Sequence, residues 1–365
     1  MKICFLAEVE SSHAVRWINA MVNRGHDIHL VTMHDTTLHD IDYRVSVHKL
    51  KVPAPVGYYA NWLEAAILVK KIKPDLLHVH YATGYGTLAR LVNYKPALLS
   101  VWGSDVYLFP EQSRRNESII RKNLAFVDRI TSTSYAMKTQ TEKFVKPASS
   151  IDVIPFGIDL NLFKPGEPKT NDSIVIGTIK RLKHVYGIDT LIKATAELIA
   201  YLRSNHFDDI AGKIRLMIVG EGPDLKELQQ LAEKLQIGHI TEFVGAVPNN
   251  QVPQYLNQLD VYCAFSRSES FGVAVLEASA CEVPVVVSRV GGLPEVVKDE
   301  ETGFMVEPDN VDDSVNKLAR LVMDQEKRRL MGSKGREFVR NDYAWSRNVV
   351  QMEKVYFDMI YNKTN

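Results

Sequence analysis

The chain has 365 residues, 45% of them hydrophobic, enough apolar material for two separately cored domains and too much for a disordered polypeptide. Lys plus Arg and Asp plus Glu both number 44, so the chain as a whole carries no polyanion-binding charge and nucleic acid is not an expected partner. Cys4, Cys263 and Cys281 lie far apart in apolar contexts without ligand spacing, which reads as buried free thiols in a reducing compartment. In chain order, residues 2–7 read as a strand, 14–24 as a helix ending at Gly25, and 28–32 as a second strand. The opening apolar run is broken by Glu8 and Glu10, too short for a signal peptide, and no stretch reaches transmembrane length. A cytoplasmic protein is expected, with any membrane contact peripheral and at the inner face of the cytoplasmic membrane.

Residues 60–73 form an amphipathic pattern closed by Pro74, and strands follow at 76–79, 98–101, 130–133 and 151–154. Alternation of helix and strand predicts a mostly parallel sheet. The polar stretch from Lys164 to Asp172 separates this domain from a fresh start at Ile174, giving domains over 1–165 and 166–343. The first portion carries 20 basic and 15 acidic residues, the remainder 24 and 29, so the positive side falls on the first domain. In the second, strands are expected at 216–219, running into Gly220-Glu-Gly222, at 260–264 and at 283–287. Glycine-flanked loops after strands are where open α/β sheets bind ligands. Residues 344–365 read as a closing helix with apolar residues from Trp345 to Met359 at helical spacing.

The segment Glu269-Ser-Phe-Gly-Val-Ala-Val-Leu-Glu277, followed by Gly291-Gly-Leu-Pro-Glu295, is the most informative of the chain. Its carboxylates stand eight positions apart, a poor spacing for one helical face, so Glu269 is assigned to a loop and Glu277 to the helix after it. The amides of Phe271, Gly272 and Val273 then lie at the helix N-terminus, a natural phosphate site. This pattern closely resembles the nucleotide-sugar signature of retaining glycosyltransferases of family 4. The resemblance implies an α/β fold of GT-B type, two Rossmann-like domains facing across a cleft, with the tail helix crossing back to the first domain. An ordinary last helix of the second domain is the plainer reading of that tail.

Carried over from the family, Glu269 lies beside the donor sugar, Glu277 holds the ribose hydroxyls and Arg181 neutralises the donor diphosphate. An arginine fork suits phosphate oxygens geometrically as well as by charge. Relatives add a lysine where this chain has Tyr186, before Gly187; Lys180 or Lys183 is left to supply that charge. Gly220 and Gly222 match the family's second glycine loop, and Phe243-Val-Gly-Ala-Val247 the loop that edges the base. No cofactor and no metal are implied; the donor is a nucleoside diphosphate sugar, a UDP-sugar before a GDP-sugar. His78 and His80 are read as facing opposite sides of their strand, which speaks against a metal pair.

On the acceptor side, Ser12 and His13 follow the first strand, and Trp102-Gly-Ser-Asp105 replaces the family's His-Gly-x-Asp. Trp102 offers a stacking face for a sugar but cannot titrate near neutrality, which excludes a histidine base there. Asp105 is assigned to sugar binding or acceptor orientation, alongside Glu269 and Arg181 as catalytic candidates. The Val-Trp-Gly-Ser-Asp variant resembles enzymes of surface polysaccharide, lipopolysaccharide or lipid-linked oligosaccharide assembly. Aromatic and basic residues over 56–73, and Arg114, Arg115, Arg121 and Lys122, suit peripheral contact with an anionic membrane; core packing with a solvated basic end is the competing reading. The implied reaction is hexosyl or N-acetylhexosaminyl transfer to a hydroxyl acceptor with retained configuration. A small-molecule acceptor, a nucleotide-sugar-binding protein and a 2-epimerase on the same scaffold are the alternatives.

Overall fold

A computed structural model describes residues 1–34, 41–145, 151–167 and 172–361 and divides into two compact units, Met1–Phe156 with Ser346–Asn365, and Gly157–Trp345. Each unit is a parallel α/β sheet of Rossmann-like type.

In the first unit the strands are β1 (Lys2–Leu6), β2 (Asp27–Thr32), β3 (Ser46–Lys49), β4 (Leu76–His80), β5 (Ala97–Ser100), β6 (Arg129–Ser132) and β7 (Asp152–Val153). They pair in parallel in the order β3-β2-β1-β4-β5-β6-β7. Ile3 to Leu6 and Leu76 to His80 are buried throughout, as expected for central strands covered on both faces. Successive strands leave β1 on one side and β4 on the other, which opens a crevice beyond their carboxyl ends. β3 is not anticipated from its sequence because Ser-Val-His-Lys is a short, polar edge strand.

The helix expected over 60–73 is two, Gly57–Ala60 and Trp62–Ile72. Between them Asn61 is buried, its Oδ1 accepting from the Val52 amide at 3.1 Å and its Nδ2 donating to the Val52 carbonyl at 2.7 Å. Residues two apart on a strand share a face, so His78 and His80 do not point apart. Their rings meet edge to face with centroids 4.6 Å apart.

The helix Trp345–Tyr361 belongs, from Ser346 on, to the first unit. The Tyr356 hydroxyl lies 2.7 Å from His78 Nδ1, and Glu353 accepts from Arg24 and pairs with His26. The units divide after Phe156, not near 165. Ile158 donates its amide to Tyr343 and accepts from the Trp345 amide, and Phe163 is buried, so the chain is already engaged with the second unit before the polar stretch. Part of that stretch, 168–171, and the last four residues of the expected tail, 362–365, lie outside the described residues.

The second unit contains β8 (Ile174–Ile179), β9 (Ile214–Val219), β10 (Thr241–Gly245), β11 (Val261–Ala264), β12 (Val285–Ser288) and β13 (Gly303–Val306). All are parallel, in the order β10-β9-β8-β11-β12-β13, and the reversal falls between β8 and β11. Phe243 to Gly245, read as loop, is the end of β10; only Ala246 and Val247 continue as loop.

Candidate functional site in the second unit

Lys180 is the first residue beyond β8, and Glu269 lies in the segment after β11, so the two arrive at the reversal of strand order from either side. Lys180 Nζ lies 2.5 Å from Glu269 Oε2, with both side chains largely buried. The same ammonium sits over the Tyr186 ring, 4.7 Å from its centroid. Burial is the largest single influence and pushes the Lys180 ammonium down, but the charge and hydrogen bond of Glu269, joined by Tyr262 and Tyr186, together outweigh it and raise it, so the cation persists. Tyr262, on β11, is buried beneath them. Burial pushes its hydroxyl up to about 12, opposed by Lys180 and reinforced by the charges of Glu277 and Glu269. Both carboxylates of the motif therefore belong to one electrostatic neighbourhood.

A cavity of about 850 Å³ opens beyond the ends of β8, β9 and β10, its lining including Lys180, Arg181, Gly220, Gly222 and Val247. Gly220 has φ 138°, and a Cβ there would stand 1.9 Å from the Lys180 carbonyl oxygen. Only glycine lets the β9 loop pass the loop carrying the two cations. Hydrogen bonds from Lys180 to Val219, from Leu182 to Glu221 and from Gly220 to Gly245 lock these loops together.

Gly272 caps the helix Val273–Ala280, its carbonyl accepting from the amides of Val275 and Leu276. Amides in the first turn have no preceding helical carbonyl to serve and are suited to an anion. The Phe271 side chain is buried, its ring 6.0 Å from that of Tyr343, and anchors the start of the helix. Glu277 lies in the second turn. The Gly292 amide donates to the Glu269 carbonyl at 3.0 Å, and a Cβ on Gly291 would stand 1.8 Å from that oxygen. The glycine pair thus holds the backbone of Glu269.

Arg181 is exposed and lines the cavity. Lys183 does not; it lines a separate cavity of about 290 Å³ with His184 and Asp189. Of the two lysines considered for the missing charge, Lys180 is the one at the cavity. Tyr262 escaped the sequence reading; a lone tyrosine in the apolar strand Val-Tyr-Cys-Ala is its only signal.

The first-unit candidates correct several expectations. Trp102 is only 8% exposed and packs among the rings of His80, Tyr81 and Phe156 at centroid distances of 4.4, 5.2 and 5.5 Å. Its faces are covered by protein, not offered to a sugar. Asp105 is buried, Oδ1 accepting from the amides of Gly103 and Trp102 at 2.8 and 3.2 Å and Oδ2 from Ala82 at 3.0 Å. It ties the loops after β4 and β5 together. Burial raises the Asp105 carboxyl and these bonds oppose it. His13 stacks on Phe156 at 4.1 Å; burial, aided by Arg16, pushes it down to about 4, leaving a neutral ring. Ser12 is exposed at the start of the helix Ser12–Asn23. The three cysteines are buried and unpaired, burial pushing Cys4 and Cys281 up to about 12.

Two family models match the chain: "Glycosyl transferase 4-like" over residues 2–134 and "Glycosyl transferases group 1" over residues 161–338. Fold and matches together define a glycosyltransferase of GT-B type, an enzyme of the hexosyltransferase class. The chain belongs to the family 4-like glycosyltransferases. It is 26% identical to N-acetyl-alpha-D-glucosaminyl L-malate synthase of Bacillus anthracis, covering 94% of this chain and 92% of that protein. It is 28% identical to the GDP-mannose-dependent alpha-(1-6)-phosphatidylinositol monomannoside mannosyltransferase of Mycobacterium tuberculosis, over 70% and 68% of the two chains. Among solved structures, sucrose-phosphate synthase of Thermosynechococcus elongatus superposes with a TM-score of 0.82 at 20% identity, covering 100% of both chains. The Anabaena protein HepE, solved with UDP-glucose, superposes with a TM-score of 0.79 at 21% identity, over 97% of this chain and 99% of that one.

Proposed function

We propose that the protein transfers a hexosyl or N-acetylhexosaminyl group from a nucleoside diphosphate sugar to a hydroxyl acceptor, retaining anomeric configuration and requiring no metal. The observation that carries this reading is the cavity at which Lys180 and Arg181 meet the Gly220 loop, with the Lys180–Glu269 pair at the reversal of strand order. In it the second unit, residues 166–343 as read from sequence, takes the donor. Arg181 and Lys180 neutralise the diphosphate, assisted by the amides near Gly272 and Val273. Glu277 binds the ribose and Glu269 faces the reacting sugar. The bond from C1 to the β-phosphate oxygen breaks as the acceptor oxygen bonds C1 from the same face, and the acceptor proton passes to the departing phosphate. Fixed positive charge stabilises the leaving group throughout.

A UDP-sugar is the favoured donor, a preference supported by the fold neighbour solved with UDP-glucose. GDP-mannose, named for a mycobacterial relative, is its competitor. The favoured acceptor is a saccharide or lipid-linked saccharide of surface polysaccharide assembly, handled at the inner face of the cytoplasmic membrane by the first unit. The Bacillus relative, whose name specifies L-malate, favours a second reading with a small-molecule acceptor. A thermal-shift panel of UDP-, GDP- and ADP-sugars tests the donor, since ligand bound only to the native state raises the melting temperature. UDP-sugars are expected to give the largest shift, with activity intact in EDTA. Activity lost to EDTA and restored by manganese or magnesium overturns the metal-free account.

A further inference from the structure

The helix Trp62–Ile72 buries Ala65, Val69 and Ile72, leaving the opposite stripe, at 100° per residue, to Leu63, Ile67 and Lys70. That stripe faces solvent and is apolar where a surface helix is normally polar. With Val56, Tyr59 and Trp62 it makes five large apolar side chains between 46% and 64% exposed within twelve residues. Lys51, Lys70, Lys71 and Lys73 are exposed around them, and Glu64 is the sole acidic residue from 49 to 73. Asn61 fixes the turn between the two helices through its paired bonds to Val52, and the Tyr58 ring packs against Gly84 and Tyr85, so the patch is held on a rigid base.

We infer that this patch docks the first unit on an anionic lipid surface, with Trp62, Leu63 and Ile67 entering the interfacial region and the lysines meeting headgroup phosphates. Charge selects this occupant. A symmetric dimer through the same patch would set one copy's lysines against the other's, with only Glu64 to compensate, whereas anionic headgroups complement all of them. Among the described residues no helix is long and apolar enough to cross a membrane, and a face with lysines beside leucine and isoleucine suits a helix lying in the interface. The basic helix Arg114–Phe126 is not an equivalent seat. It has no exposed large apolar side chain, and Arg121 is engaged by Glu117. The inference deepens the lipid-linked part of the acceptor reading but is independent of the donor chemistry.

The test is flotation of the full chain with phosphatidylcholine vesicles, with and without phosphatidylglycerol, in the absence of donor and acceptor. Binding is expected only with phosphatidylglycerol and should weaken as salt rises. Leu63→Ser/Ile67→Ser and Lys70→Ala/Lys71→Ala should each reduce binding about tenfold or more. Both should melt with the parent chain and keep its donor-sugar thermal shift. Absence of vesicle binding by the parent, or binding unchanged in both variants, overturns the inference. A concentration-dependent dimer abolished by Leu63→Ser/Ile67→Ser assigns the patch to a second copy and overturns it equally. If vesicle binding holds while no nucleotide sugar shifts the melt, the donor reading fails and the lipid contact stands.

Discussion

Lys180 and Glu269, 89 positions apart in the chain, form a largely buried ion pair with Nζ and Oε2 separated by 2.5 Å. The pair joins the loop after β8 to the loop after β11, the two sides of the crevice in the second sheet. Removing either member strands the other charge, so the pair should be energetically coupled. A double-mutant cycle with Lys180→Met and Glu269→Gln, read by denaturant unfolding, should give a coupling of about 1–3 kcal/mol. Additivity within about 0.5 kcal/mol would show that the contact contributes nothing to the fold.

The two carboxylates of the motif should separate in kinetics. Glu277→Gln is expected to raise the donor dissociation constant about tenfold, one lost charge-assisted bond, with smaller change in turnover. Glu269→Gln should chiefly lower kcat. Equal losses in donor affinity with no separate effect on turnover would reject this division.

Trp102 is enclosed by His80, Tyr81 and Phe156, so its loss should act through stability. Trp102→Ala is expected to cost about 3–5 kcal/mol and Trp102→Phe distinctly less. A Trp102→Ala variant that melts normally but shows a raised acceptor KM would return the residue to the acceptor site.

Acid should weaken the first unit before it weakens the carboxylate pairs of the second. Burial pushes His80 down to about 3, and neither of its ring nitrogens has a hydrogen-bond partner among the described residues. Burial likewise holds His13 at about 4. In the unfolded chain both titrate near 6.5, so below that pH the unfolded state binds more protons and stability falls. The effect is absent above pH 6.5 and grows as pH drops towards 4. By contrast Glu300, held at about 2 by hydrogen bonds from Arg320, loses its contribution only below the ordinary glutamate range. His80→Phe should therefore flatten the stability slope between pH 6.5 and 4.5 by up to about 1.4 kcal/mol per pH unit. An unchanged slope in urea melts across that window would refute the assignment.

The strands that open on apolar pairs or triplets, such as Ile174-Val-Ile in β8 and Leu76-Leu in β4, were legible because burial on both faces demands apolar residues there. So was the assignment of Glu269 to a loop and Glu277 to a helix, since helical periodicity excludes a common face. Short strands such as Ser46–Lys49 and Gly303–Val306 carry too little pattern to declare themselves. The Lys180–Glu269 contact depends on how distant strands pair, which local spacing does not encode. Trp102 and Asp105 mislead for a different reason. An aromatic ring and a carboxylate serve a sugar well, but they serve a packed cluster and a set of loop amides equally well, and only the fold distinguishes the two.

The first unit is discontinuous in sequence, and this orders its biosynthesis. Its sheet is translated by Phe156, but the helix supplying Tyr356 to His78 and Glu353 to Arg24 and His26 emerges only after the whole of Gly157–Trp345 has been made. During elongation those partners wait beside an uncovered face, whereas the second unit has all its strands available in one uninterrupted stretch. The domain begun first is therefore the one completed last, which reverses the N-terminal-first order usual for multidomain chains.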